Sequence, residues 1–127
     1  MMVAGIGCRS GATADAVSDA IAAALRRYDV DVAQINALAT DADKSTEEGI
    51  VVAARSLAIP LVFVGLSEMD RVSGDALTVS PRVMALKGVP SIAETAALAA
   101  AGRCARLLGP RVTTPTVTCA IAVGDGP

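Results

Sequence analysis

Between Gly5 and Gly11 the chain reads GIGCRSG, three glycines around one thiol and one guanidinium. Three chemistries suit such a stretch: a cradle for phosphate, a reactive cysteine, or a seat for some other anion. Glycines such as Gly5 and Gly7 after a strand leave backbone N–H groups free to face an anion. Arg9 adds a planar fork that fits carboxylates or phosphates. The dinucleotide fingerprint needs its third glycine three residues after the second, and Ser10 stands there, although Asp29 or Asp31 lies about where a ribose partner would. The phosphate-loop pattern fails too, because no Gly-Lys-Ser/Thr follows. A tight strand-to-helix turn explains the glycines without a ligand, yet the carboxyl end of a parallel strand is also where open α/β sheets bind ligands.

Cys8 admits two readings: a thiol acidified near a helix start, or a small packing residue. The chain has no histidine, which removes the commonest general base, the commonest metal ligand and every Ser-His or Cys-His mechanism. No metal and no cofactor is expected. Cys104 and Cys119 lie in apolar contexts and read as core. Three cysteines without CxxC spacing, behind an N-terminus with no basic region before its apolar stretch, lead to the expectation of a reducing, cytoplasmic setting. Ser91 and Glu94, in SIAE, form a capping-box pattern that needs no chemistry. Ser80 and Ser91 can also donate hydrogen bonds to a ligand; a serine nucleophile would have to use Lys44 or Lys87 as its base.

These residues need elements to hold them. Met2 to Ile6 is short and apolar and ends in glycines, as a buried strand does. From Ala12 to Tyr28, Val17, Ile21, Leu25 and Tyr28 recur at helical spacing. Val32 to Leu38 alternates and predicts a second strand. Ser45 with Glu48 predicts a capped helix to about Ala58, with Ile50, Ala54 and Leu57 inward. Leu61 to Gly65 predicts a third buried strand, followed by a short polar helix around Ser67 to Arg71. Arg82 to Leu86 predicts a helical piece, and Ser91 opens a helix that Gly102 stops. Near the C-terminus RVTTPTVTCAIAV offers a short and a longer strand around Pro115. Alternating strands and helices predict a single three-layer αβα domain over residues 1–127, of α/β class with a largely parallel sheet.

Composition narrows the partners. A formal charge of −2 and one Phe, one Tyr and no Trp argue against nucleic acid. No apolar run reaches the roughly 18 to 20 residues that span a bilayer, so no membrane is expected. With 53% apolar residues, mostly aliphatic, the core needs no staple and must rely on close packing of small side chains.

Four separated stretches occur in one order: GIGCR, then Lys44 with Glu47 and Gly49, then GVPSIAETAAL from Gly88 to Leu98, then TVTCAIA from Thr116 to Ala122. Together they resemble the CobE protein and the CbiG C-terminal domain family of cobalamin biosynthesis. That resemblance implies a protein that binds or acts on a carboxylate-rich corrin-ring precursor, a tetrapyrrole intermediate, near the ring-contraction stage. It implies Gly5, Gly7, Cys8, Arg9, Lys44, Gly88 and Ser91 as ligand-binding positions and Glu94 as a catalytic candidate. It also implies other cobalamin-pathway enzymes as partners. Whether the chain is an enzyme is left open; a δ-lactone hydrolase acting on a precorrin-5A-type intermediate, as in CbiG, is the enzymatic alternative. From another class, a nucleotide-binding, assembly or regulatory α/β module remains.

Overall fold

At the centre of the computed structural model, which describes all residues from Met1 to Pro127, lies strand β1 (Met2–Cys8). β2 (Ala37–Asp41) pairs with one side of β1 and β6 (Val117–Val123) with the other. The sheet order is β3-β2-β1-β6-β4, where β3 is Leu61–Val64 and β4 is Arg106–Leu107; β5 (Val112–Thr113) also pairs with β6. β1, β2 and β3 are mutually parallel, whereas β6 runs against β1, β4 and β5. The sheet is thus parallel at its core, as the alternation of elements predicts. β5 enters β6 through a short turn at Thr114–Thr116, closed by the Val117 carbonyl accepting the Thr114 N–H at 2.9 Å. A connection that short permits only an antiparallel pair.

Helices cover both faces. Val17, Ile21 and Ala24 of α1 (Ala14–Arg27) and Ile50 and Ala53 of α2 (Glu48–Leu57) pack with Ile6, Leu38 and Cys119 into one core. On the other face α5 (Ile92–Ala101) and Met69 of α3 (Leu66–Arg71) pack with Val3, Ala39 and Ala122. α4 (Pro81–Lys87) has no fully buried residue and touches the second core only through the half-buried Val83.

Small side chains make the second face work. A Cβ on Gly5 would lie 2.0 Å from the Ala93 carbonyl oxygen and 2.8 Å from the Ala97 nitrogen. Gly5 therefore lets the alanine-rich α5 rest directly on β1, a close contact that supplies dispersion energy in place of aromatic bulk.

Four sequence expectations shift, the first at β3, which is an edge strand with Val62 and Phe63 exposed rather than buried. Val32–Gln34 is a 3-10 turn, and the strand starts only at Ala37. Asp31 accepts the Ala33 N–H and Gln34 accepts the Asp31 N–H, so local side-chain bonds outcompete the alternating pattern. Ser45 does not cap α2: a 3-10 turn over Ala42–Lys44 precedes it, and the helix begins at Glu48 after Glu47. Cys104 is exposed rather than in the core, while Cys119 is fully buried. Cys104 sits in the turn between the end of α5 and β4, with φ of 57°.

Candidate functional site

The main cleft opens at the carboxyl ends of β1 and β2, beside the amino end of β6, with a volume of about 440 Å³. Three segments wall it. The first is the continuation of β1 through Cys8, Arg9 and Ser10; the second is the β5–β6 turn; the third is α4 with Ser80 before it. Backbone bonds tie the first two together, since the Thr116 carbonyl accepts the Arg9 N–H at 3.1 Å. The loop after Arg9 is held from behind, where the Glu47 carboxylate accepts the Gly11 N–H at 3.1 Å.

Five of the chain's 11 basic residues line this cleft: Arg9, Lys44, Arg82, Lys87 and Arg111. Only Lys87 is in an ion pair. Its ammonium lies 3.0 Å from Asp41 Oδ2 and also contacts Asp43, and these are the molecule's only salt bridges. Hydrogen bonds from Lys87 hold the Asp43 carboxyl below its usual range, and the same bonds raise the lysine. Asp41 is the only carboxylate lining the cleft, and its other oxygen accepts the Asp43 N–H at 3.1 Å. Four cations therefore face the opening without a carboxylate partner. Between them lie Val83, Leu86, Ile92, Pro115 and Val117, an apolar floor and rim.

The structure brings together Gly7, Cys8, Arg9 and Lys44 of the sequence-predicted positions. Gly5 is sealed beneath α5, because β1 continues two residues beyond Ile6. Gly88 ends α4 with φ of 74° and does not line the cleft. Ser91 is fully buried as the cap of α5, its Oγ accepting the Glu94 N–H at 3.3 Å. Glu94 is also fully buried, and both its oxygens are engaged by backbone amides away from the Ser91 N–H. Burial raises the Cys8 thiol, with nearby Lys44 opposing and Glu47 adding to the shift, so it is neutral at pH 7 and a weak nucleophile.

Arg82 and Arg111 were not legible as site residues. Each stands alone among loop signals, Arg82 after Ser80-Pro81 and Arg111 after Gly109-Pro110. Only the fold makes neighbours of them, by pairing β5 with β6 and by tying α4 through Lys87 to Asp41 and Asp43 at the end of β2. A basic side chain directly after a turn proline is the one trace each leaves in the sequence.

The cleft thus places unpaired positive charge at the carboxyl edge of the parallel strands, the edge at which open α/β sheets bind ligands. The sequence profile described as cobalamin synthesis G C-terminus matches residues 2–122. The chain belongs to this family, the cobalamin biosynthesis proteins of the CobE and CbiG C-terminal type. It is similar to the crystal structure of CobE, a protein from the cobalamin (vitamin B12) biosynthetic pathway, at 30% identity and TM-score 0.91. That match covers 96% of this chain and 89% of the other. It is also similar to the cobalamin biosynthesis protein chiG from Agrobacterium tumefaciens, at 37% identity and TM-score 0.78, over 98% and 99% of the two chains. A cobalamin biosynthesis protein G homolog from Sulfolobus solfataricus shares the fold at 24% identity and TM-score 0.69. There the match covers 99% of this chain but 37% of the longer protein. No curated protein sequence matches the chain significantly.

Proposed function

We propose that this protein binds a carboxylate-rich corrin-ring precursor, near the ring-contraction stage of cobalamin synthesis, in the cleft between the β1 loop, the β5–β6 turn and α4. One observation carries the reading: Arg9, Lys44, Arg82 and Arg111 face a single opening without carboxylate partners in a chain of net charge −2. Unpaired cations gathered against low-dielectric walls attract anions far more strongly than the net charge allows. Acetate and propionate arms around the macrocycle match those cations, and its apolar face matches Val83, Leu86 and Pro115. The cleft is open on one side, so an edge of the ring is gripped while the rest stays accessible to another enzyme of the pathway.

Binding is favoured over lactone hydrolysis by the state of the acid–base candidates. The cleft's carboxylate is tied to Lys87, its thiol is neutral, and Glu94 lies enclosed in the protein. Arg9, Lys44 and Arg111 thus act as carboxylate clamps and Cys8 as part of the wall.

The test is a visible-absorption titration of the purified protein with tetrapyrrole intermediates of the pathway. A band shift and co-elution on gel filtration are expected. Arg9→Ala and Arg111→Ala should each weaken binding about tenfold, from loss of one charge-assisted contact, while leaving thermal stability nearly unchanged. If no intermediate shifts or co-elutes, or if the two variants bind like wild type, the reading is wrong.

A further inference from the structure

Glu94 has a role that neither a helix cap nor a reacting acid explains. Its side chain is fully buried at the start of α5, yet it leaves the Ser91 N–H alone and reaches two other segments. Oε1 accepts the N–H groups of Leu77 and Thr78, each at 3.0 Å. Oε2 accepts the N–H of Arg111 at 2.9 Å. The first segment leads into Ser80 and Arg82, and the second carries the Arg111 guanidinium and leads into β5. Two walls of the cleft are therefore fastened to one carboxylate rooted in the core.

We infer that Glu94 is a positioning residue, a carboxylate bracket that sets the spacing between Arg82 and Arg111 and so the separation of ligand carboxylates the cleft accepts. The inference rests on the anion-binding reading of that cleft. Three donors aimed at two oxygens need a carboxylate: both oxygens must accept. Glutamine offers one accepting oxygen, and its NH2 would meet at least one N–H head-on. None of these three amides has another acceptor within the protein, so losing the bracket leaves them without a protein partner. Capping alone would let a glutamine side chain serve as well as the glutamate, because the Ser91 Oγ bond uses only the backbone N–H of Glu94.

The experiment has two arms. In the first, amide hydrogen exchange is followed by NMR in ligand-free protein. Leu77, Thr78 and Arg111 should be protected in wild type despite lying in loops. They should exchange about tenfold faster in Glu94→Gln while the α5 amides stay protected. In the second arm, binding of uroporphyrin, an eight-carboxylate macrocycle, is measured for wild type, E94Q, R111A and the double variant. E94Q should weaken binding about tenfold in the wild-type background and by less than about twofold when Arg111 is already alanine. Unchanged exchange in E94Q, or additive losses in the double variant, overturns the inference. Should E94Q not fold, the wild-type exchange rates decide: fast exchange at all three amides refutes the bracket. If uroporphyrin does not bind wild type, the polycarboxylate reading of the cleft fails, and the exchange arm still reports on the bracket alone.

Discussion

At the scale of single residues, burial sorts the three cysteines into three kinds. Cys119 is fully buried in β6, and desolvation pushes its thiol up to about 12. Cys8 borders the cleft, and burial raises it despite the Lys44 charge nearby. Cys104 is exposed. Thiolate is the form that alkylates, so a raised thiol reacts slowly at pH 7 and faster as the pH climbs toward its folded value. Iodoacetamide at neutral pH should therefore label Cys104 first, Cys8 later and Cys119 only on unfolding, as read by peptide mass spectrometry. Rapid labelling of Cys8 at pH 7 would restore it as a nucleophile. The residue-scale surprise is Glu94, whose motif spacing reads as a capping box. Ser91 does cap α5, but the glutamate side chain turns to loops 17 residues away in either direction.

At the scale of elements, the fit of α5 on β1 decides the second core. Gly5→Ala would place a methyl group against the backbone of Ala93 and Ala97, and neither can yield without lifting the helix. Overpacking of this kind costs about 3 kcal/mol, a loss of roughly 10 °C in Tm for a chain of this size. Calorimetry checks it; an unaltered Tm would mean that α5 rides higher on the sheet than described. α4 is the opposite case. It has no fully buried residue, meets the core only through Val83, and is otherwise fixed by the Ser80 cap, by the Pro90 carbonyl accepting the Ser80 N–H at 2.8 Å, and by Lys87 bound to Asp41 and Asp43. Its Lys87–Asp43 contact is largely solvent-screened and adds little to stability. Its effect is to commit Lys87, leaving the ligand the other four cations.

At the scale of the whole molecule, a chain of net charge −2 gathers nearly half of its basic residues at one end of the sheet. Long-range attraction is therefore weak, and the cleft's own cations, with Arg9 and Arg82 exposed to solvent, attract a polyanion in a way that salt screens. Uroporphyrin affinity should fall at least about tenfold between roughly 50 mM and 500 mM salt, while its neutral octamethyl ester should not compete at any salt. Affinity that ignores both salt and esterification would place the binding energy in the apolar floor and not in the cations. No single helix is long and apolar enough to cross a membrane.

What the amino-acid order settled by itself is what short-range physics controls. Apolar runs fixed β1, β3 and β6, helical spacing fixed the buried faces of α1 and α2, and Ser91 and Gly102 marked the ends of α5. The ordered motifs pointed to the family, and Gly7, Cys8, Arg9 and Lys44 reached the cleft together. The direction of β6, the contribution of Arg82 and Arg111, the sealing of Gly5 and the destination of the Glu94 carboxylate were decided only in three dimensions. Each depends on groups far apart in sequence that meet because helices must bury their apolar faces on the same sheet. Periodicity records which face of an element is buried, but it carries no information about which distant backbone will lie against it.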